Sequence, residues 1–247
     1  MEKRHALIFA LLITILIATN ISIVKTISSH KSLETVKISR IIDGDTLELE
    51  DSRKIRLANI NAPEKNLPNY NLSINFLQQF LNTTVQLEII GIEKYGRILG
   101  KIYAPDYLNL ELVRQGYASK FLVEEKELNI FAEAEKQAID SFIGIWKKSD
   151  HYNCFKSKIN EKDEVVTITN NCNNINIRSW TLKDESRKVY EFLDLELGTI
   201  MLHTNEGKDN ETDVFWNSET NIWNNDRDSL YLFDEKGNLA HYKTYGY

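Results

Sequence analysis

The feature that most limits the fold is a run of short segments between residues 36 and 104 in which apolar and polar residues alternate, separated by tight turns. In VKISRIIDGDTLELE the alternation continues on both sides of Asp43-Gly44-Asp45, which predicts a strand, a turn and a returning strand. KIRLANI (54–60) reads as a third strand. VQLEIIGIE (85–93) and RILGKIYA (97–104) read as a fourth and a fifth, joined by the Lys94-Tyr95-Gly96 turn. Between strands three and four, NLSINFLQQFL places Leu72, Phe76, Phe80 and Leu81 near helical spacing. LNLELVRQGYA reads as a helix stopped at Gly116. LNIFAEAEKQAIDSFIGIW reads as another, with Ile130, Ala134, Ala138, Phe142 and Ile145 along one face. Five strands with one helix between the third and fourth predict a mainly β, OB-type barrel with about three helices, a fold that often binds nucleic acids. Fold alone assigns no chemistry.

The flanks differ from this middle part. Lys3 and Arg4 precede residues 6–24, which carry no charge over 19 positions, enough to cross the ~30 Å hydrocarbon core of a bilayer. A basic start before such a run predicts a transmembrane anchor or a signal helix, with the remainder extracytoplasmic, either held at the membrane or secreted. The expected organisation is therefore 1–32 as anchor and tether, 33–150 as the barrel domain and 151–247 as a second domain. EVVTITN, GTIMLHT, DVFWN, DSLYLFD, LAHYKTY and NINIRSWTL alternate between Asn, Asp and Gly clusters in this last part, as strands of a β-sandwich do. Trp180, Trp216 and Trp223 are expected as core or turn-packing residues rather than a binding cage, and the WNNDRD stretch is expected as a solvated turn. The three parts carry 4 basic and 1 acidic, 15 and 18, and 11 and 17 residues, and the whole chain a net charge of −6. Any binding of a polyanion must therefore rest on a local site rather than on the field of the whole molecule. Cys154 and Cys172 leave two readings open, a disulfide suited to an oxidising compartment or two separate thiols.

Chemistry concentrates in the barrel segment. Asp45 opens strand two, Arg56 lies on strand three, Glu64 follows that strand and Arg97 opens strand five. Carboxylates offer hard oxygen ligands to Ca²⁺ or Mg²⁺, and one can act as a base. Arginine forks suit a phosphoryl group that is gaining negative charge. Singly, a DGD segment is a common turn and a strand arginine a common surface residue. Their order together is what carries the reading.

IIDGDTLELEDSRKIRLANINAPE, EKYGRILGKIYAPDYLNLELVRQGYA and AEAEKQAIDSFIGIW together resemble the staphylococcal-nuclease (thermonuclease) family, in family order over nearly all of 36–147. The resemblance implies a Ca²⁺-dependent phosphodiesterase on an OB barrel, cutting DNA and RNA with little sequence preference. By the same resemblance Asp45 is a metal-ligand carboxylate and the Ala62 carbonyl a backbone ligand. Glu64 is the base for the attacking water, Arg56 and Arg97 bind phosphate, and Lys94 and Tyr95 lie beside the substrate. Asn61 is the departure, because the family usually has Asp there as a second metal carboxylate. One lost charge weakens the expected metal affinity, and on charge count alone Asn61→Asp should restore it. The aromatic pair expected on the base is not clear, and Phe121 is the nearest candidate. VVTITNNCNNINIRSWTLKDESRKVYEF and WNNDRDSLYLFDEKGNLAHYKTY resemble the lamin-tail domain, which implies an immunoglobulin-like sandwich used for attachment, with no partner specified. The leading expectation is an extracytoplasmic nuclease. The alternative is a nucleic-acid or surface-binding module on the same scaffold that does not turn over.

Overall fold

Alternation around the DGD turn produces the expected hairpin, with β1 (Leu33–Asp43) returning as β2 (Thr46–Leu49). β3 (Lys54–Leu57) pairs antiparallel with β2 and parallel with β6 (Ile98–Tyr103), and β5 (Thr84–Ile92) pairs antiparallel with β6. The five strands close in the order β1-β2-β3-β6-β5. Alternate side chains of each strand point inward, so Ile38, Leu47, Leu49, Ile55, Leu57, Leu87 and Ile102 fill the barrel. These coordinates are a computed structural model, and it describes residues 33–93, 96–172, 175–186, 188–193 and 198–247. The apolar span expected at 6–24 lies outside the described residues, among which no helix is long and apolar enough to cross a membrane.

The third strand departs from expectation. It ends at Leu57, because Asn59 takes a left-handed conformation at φ 66°, which asparagine tolerates better than most residues. The chain then runs as a separate strand, β4 (Ile60–Asn61), paired with β7 (Ser119–Lys120). The helix between β4 and β5 is α1 (Tyr70–Gln78), and α2 (Leu108–Arg114) ends before Gly116, whose φ is 67°. The next helix, α3 (Leu128–Asp140), is shorter than its sequence suggested and turned by one position. It buries Phe131, Ala134, Glu135, Ala138 and Ile139, whereas Ile130 is 48% exposed and Phe142 lies beyond the helix at φ 52°. The stripe that starts at Phe131 puts the larger ring in the core.

The C-terminal part forms two four-stranded sheets. One holds β8 (Phe155–Asn160), β9 (Val165–Asn170), β12 (Thr199–His203) and β13 (Asp213–Phe215). The other holds β10 (Thr181–Lys183), β11 (Val189–Glu191), β14 (Asp228–Phe233) and β15 (Leu239–Tyr245). They share one apolar core around Val166, Ile168, Trp180, Leu182, Leu202 and Leu230, with Trp223 buried and Trp216 packed at its edge, as expected of all three tryptophans. β8 and β11 were not legible as strands, and within NINIRSWTL residues 175–180 precede β10 rather than form part of it. In the WNNDRD stretch Asn224, Asn225 and Asp226 are exposed, as expected of a solvated turn, but Asp228 is buried and accepts hydrogen bonds from the backbone N–H groups of Asn224, Glu185 and Ser229. Barrel and sheets meet in a small core of their own, where Ala138, Ile139, Ile145 and Trp146 pack on Tyr231 and Leu239.

Cys154 and Cys172 form a disulfide, with Cα atoms 5.2 Å apart. A crosslink closing a loop of this size restricts the unfolded chain by about 3 kcal/mol. Replacing both cysteines with serine should lower unfolding free energy by that order in a denaturant titration. A second prediction concerns acid. Burial, and then the charge of Lys243, push the half-buried His241 imidazole down to about 4, and Ser157 Oγ lies 2.9 Å from its Nε2. In the unfolded chain the ring titrates near 6.5, so its contribution is complete above that value and lost as pH falls through about 4. The window is worth about 3 kcal/mol. His241→Gln should flatten the stability profile across it.

Candidate active site

The DGD turn, the bend after β3 and the start of β6 converge at one end of the barrel. Asp43 Oδ1 accepts the Asp45 N–H at 3.1 Å, which sets the turn. Gly44 is required by close approach, since a Cβ there would collide with Ser73 Oγ and Ala62 Cβ. Asp45 is consequently buried. Its Oδ2 lies 3.1 Å from Arg56 Nη2 and accepts the Ala62 N–H at 3.3 Å, and its Oδ1 accepts the Thr46 hydroxyl at 3.1 Å. Arg56 is buried too, and it also donates to the carbonyls of Leu57 at 2.6 Å and Ile60 at 2.9 Å. Two buried charges are thus paired and hydrogen-bonded, the condition under which such burial is tolerated.

Arg97 joins this pair through Thr46. Its Nη1 donates to Thr46 Oγ1 at 3.5 Å, and its Nη2 lies 2.8 Å from Glu93 Oε2. Gly96, at φ 77°, closes the turn from which Arg97 projects. Among the described residues Arg97 Nε has no hydrogen-bond partner, so the guanidinium keeps a donor in hand. The Lys94 and Tyr95 expectations lie outside the described residues. A cavity of about 190 Å³ opens beside Arg56, lined by Leu57, Asn59, Leu99, Phe121 and Leu122. Phe121 lines this cavity alongside the exposed Leu122.

Asn61 and Ala62 are buried on the segment that leaves β4, and Glu64, two residues further on, is exposed. The Asn61 backbone carbonyl accepts Ser119 Oγ at 3.2 Å, whereas its side-chain amide donates to the Ser186 carbonyl at 3.3 Å. Asp45, Asn61 and the Ala62 carbonyl are all oxygen donors, a set that suits Ca²⁺ by type. It contains one carboxylate only, and among the described residues no three His, Cys, Asp or Glu side chains group as a metal site.

Sequence reading missed a buried cluster next to this loop. Lys120 Nζ lies 3.0 Å from Glu135 Oε2 and 3.0 Å from Glu185 Oε2, and donates to Ser229 Oγ at 2.8 Å. Burial alone would lower the Lys120 ammonium, but the Glu135 and Glu185 carboxylates hold it above the ordinary lysine value. The available signal was Glu135 between Ala134 and Ala138 on a buried helix face. Behind the cavity, Lys101 pairs with Glu127 at 2.7 Å and Glu124 at 3.1 Å. Burial, and then Glu127, raise the Tyr107 phenol there.

Residues 54–148 match the family described as staphylococcal nuclease homologue. The chain is 35% identical over 121 residues to an uncharacterized endonuclease of Escherichia coli, covering 46% of this chain and 78% of that one. It is 32% identical over 139 residues to an uncharacterized endonuclease of Haemophilus influenzae, covering 53% and 78%. A micrococcal nuclease of Shigella flexneri is 29% identical over 129 residues, covering 44% and 72%.

Proposed function

The chain belongs to the staphylococcal nuclease homologue family, and from that premise we propose that it is an endonuclease that hydrolyses phosphodiester bonds of DNA or RNA with Ca²⁺, outside the cytoplasm. The observation that carries this reading is the line Arg97–Thr46–Asp45–Arg56, which gathers two guanidinium groups at one end of the barrel, with Arg56 and Glu93, the partner of Arg97, lining one cavity. A phosphodiester gains charge as it is attacked, and fixed donors at that point lower the barrier.

Glu64, exposed on the loop beside the site, accepts a proton from water as the water oxygen bonds to phosphorus. The ester bond opposite breaks, its oxygen leaving with the bonding pair and taking up a proton from solvent, and Arg56 and Arg97 stabilise the charge on the phosphoryl oxygens. A Ca²⁺ ion held by Asp45, Asn61 and the Ala62 carbonyl would supply further stabilisation of a phosphate oxygen. The Cys154–Cys172 disulfide and the uncharged run at 6–24 both suit a chain delivered to an oxidising compartment, at the membrane or beyond it. The C-terminal sheets are read as a lamin-tail domain serving attachment.

Assay of the full chain on single- and double-stranded DNA and on RNA, with Ca²⁺ or EDTA, tests the proposal. Cleavage by wild type and its loss in Glu64→Ala is the expected result. Binding without cleavage, equal in the two proteins at millimolar Ca²⁺, would leave a non-catalytic binding module instead.

A further inference from the structure

The loop that carries Ala62 and Glu64 is fastened at its start to the C-terminal sheets. Asn61 pairs with Ser119 across β4 and β7, and its side-chain NH₂ reaches the carbonyl of Ser186, between β10 and β11. A carbonyl can only accept, so the group facing it must donate, which an amide does and a carboxylate does not. The receiving loop is itself held firmly. Ser186 Oγ donates to both oxygens of the buried Asp184, at 2.8 and 2.7 Å, and the Glu185 N–H donates to Asp228. A second connection runs one residue from Ser119, where Lys120 of β7 is locked to Glu185 and Ser229 of the sheets and to Glu135 of α3. Tyr247 also donates its hydroxyl to Glu185.

We propose that Asn61 is a positioning residue, whose amide ties the loop bearing Ala62 and Glu64 to the 184–186 loop, so that the C-terminal sheets form part of the scaffold of the nuclease site. The inference rests on the nuclease reading above. It accounts for the amide at a position where the family usually has Asp. An aspartate would set its carboxylate against the Ser186 carbonyl, and the added charge expected to favour Ca²⁺ would come with a displaced loop. A shift on the order of 1 Å in a reacting group can lower turnover by about 10²-fold.

Steady-state kinetics of the full-length Asn61→Ala and Asn61→Asp variants on DNA at saturating Ca²⁺, with backbone hydrogen exchange, test this. Both variants should lose roughly 10- to 100-fold in kcat with KM for DNA unchanged. Exchange should rise together in segments 60–66 and 184–186. A purely structural asparagine would lower the melting temperature and leave kcat intact well below it. Wild-type kcat in Asn61→Asp, or faster exchange confined to 60–66, would overturn the proposal. A wild-type chain inert toward DNA and RNA would instead remove the nuclease reading, and the exchange result would still decide whether the tie exists.

Discussion

Arg56→Lys is expected to lower kcat by roughly 10²- to 10³-fold, the scale of losing a preorganised donor at the transition state. It is also expected to cost about 3 kcal/mol of stability, because it breaks a buried, hydrogen-bonded ion pair. The swap removes no core volume, which by itself would spare the fold. The structure argues otherwise. Arg56 serves Asp45 and the carbonyls of Leu57 and Ile60 at once, from a position only 3% exposed. A planar fork reaches three acceptors in different directions, and a single ammonium cannot. Arg97→Lys separates the two effects. Arg97 is half-buried and pairs with a half-buried Glu93, so its swap should lower kcat by about 10²-fold with little change in melting. Equal melting curves for the two variants, or full activity in either, would contradict this division.

The barrel was legible because its signal is local. Period-2 alternation on both sides of Asp43-Gly44-Asp45 decides which faces are buried, and register follows from a turn only a few residues long. Asp45, Arg56 and Arg97 were legible as a set through the order of their motifs. What was lost depends on single backbone choices or on distant partners. Asn59 could have continued the strand, and its left-handed conformation is what sends Asn61 toward β7. The Phe131 stripe and the Ile130 stripe differ by one residue, and only the packing of a ring against the barrel decides between them.

The polar contacts between barrel and sheets were beyond reach for a further reason. Asn61 and Ser186 are 125 positions apart, and Lys120 and Ser229 are 109 apart. Neither segment carries a local pattern that demands the other. A buried lysine between two glutamates also breaks the apolar rule by which cores are read from sequence. Such groups become intelligible only once all partners are in place, because each charge is tolerable through the others. The same holds for Asp228, whose carboxylate organises a turn by accepting three backbone N–H groups.

Glu64→Gln is expected to lower kcat by about 10³-fold while leaving the fold intact, within the range that a general base contributes. The side chain is exposed, so an amide of the same size disturbs no core. The pH dependence of the residual activity identifies the role. If Glu64 removes the proton from the attacking water, hydroxide can replace that service in the variant, and its rate should rise about tenfold per pH unit while the wild-type rate does not. If the carboxylate only helped to hold Ca²⁺, raising the metal concentration would recover the lost activity at constant pH. Rate profiles of both proteins over pH and over Ca²⁺ separate these roles. Recovery by calcium with no hydroxide dependence would remove Glu64 from the proton transfer and leave Arg56 and Arg97 as the groups acting on the phosphate.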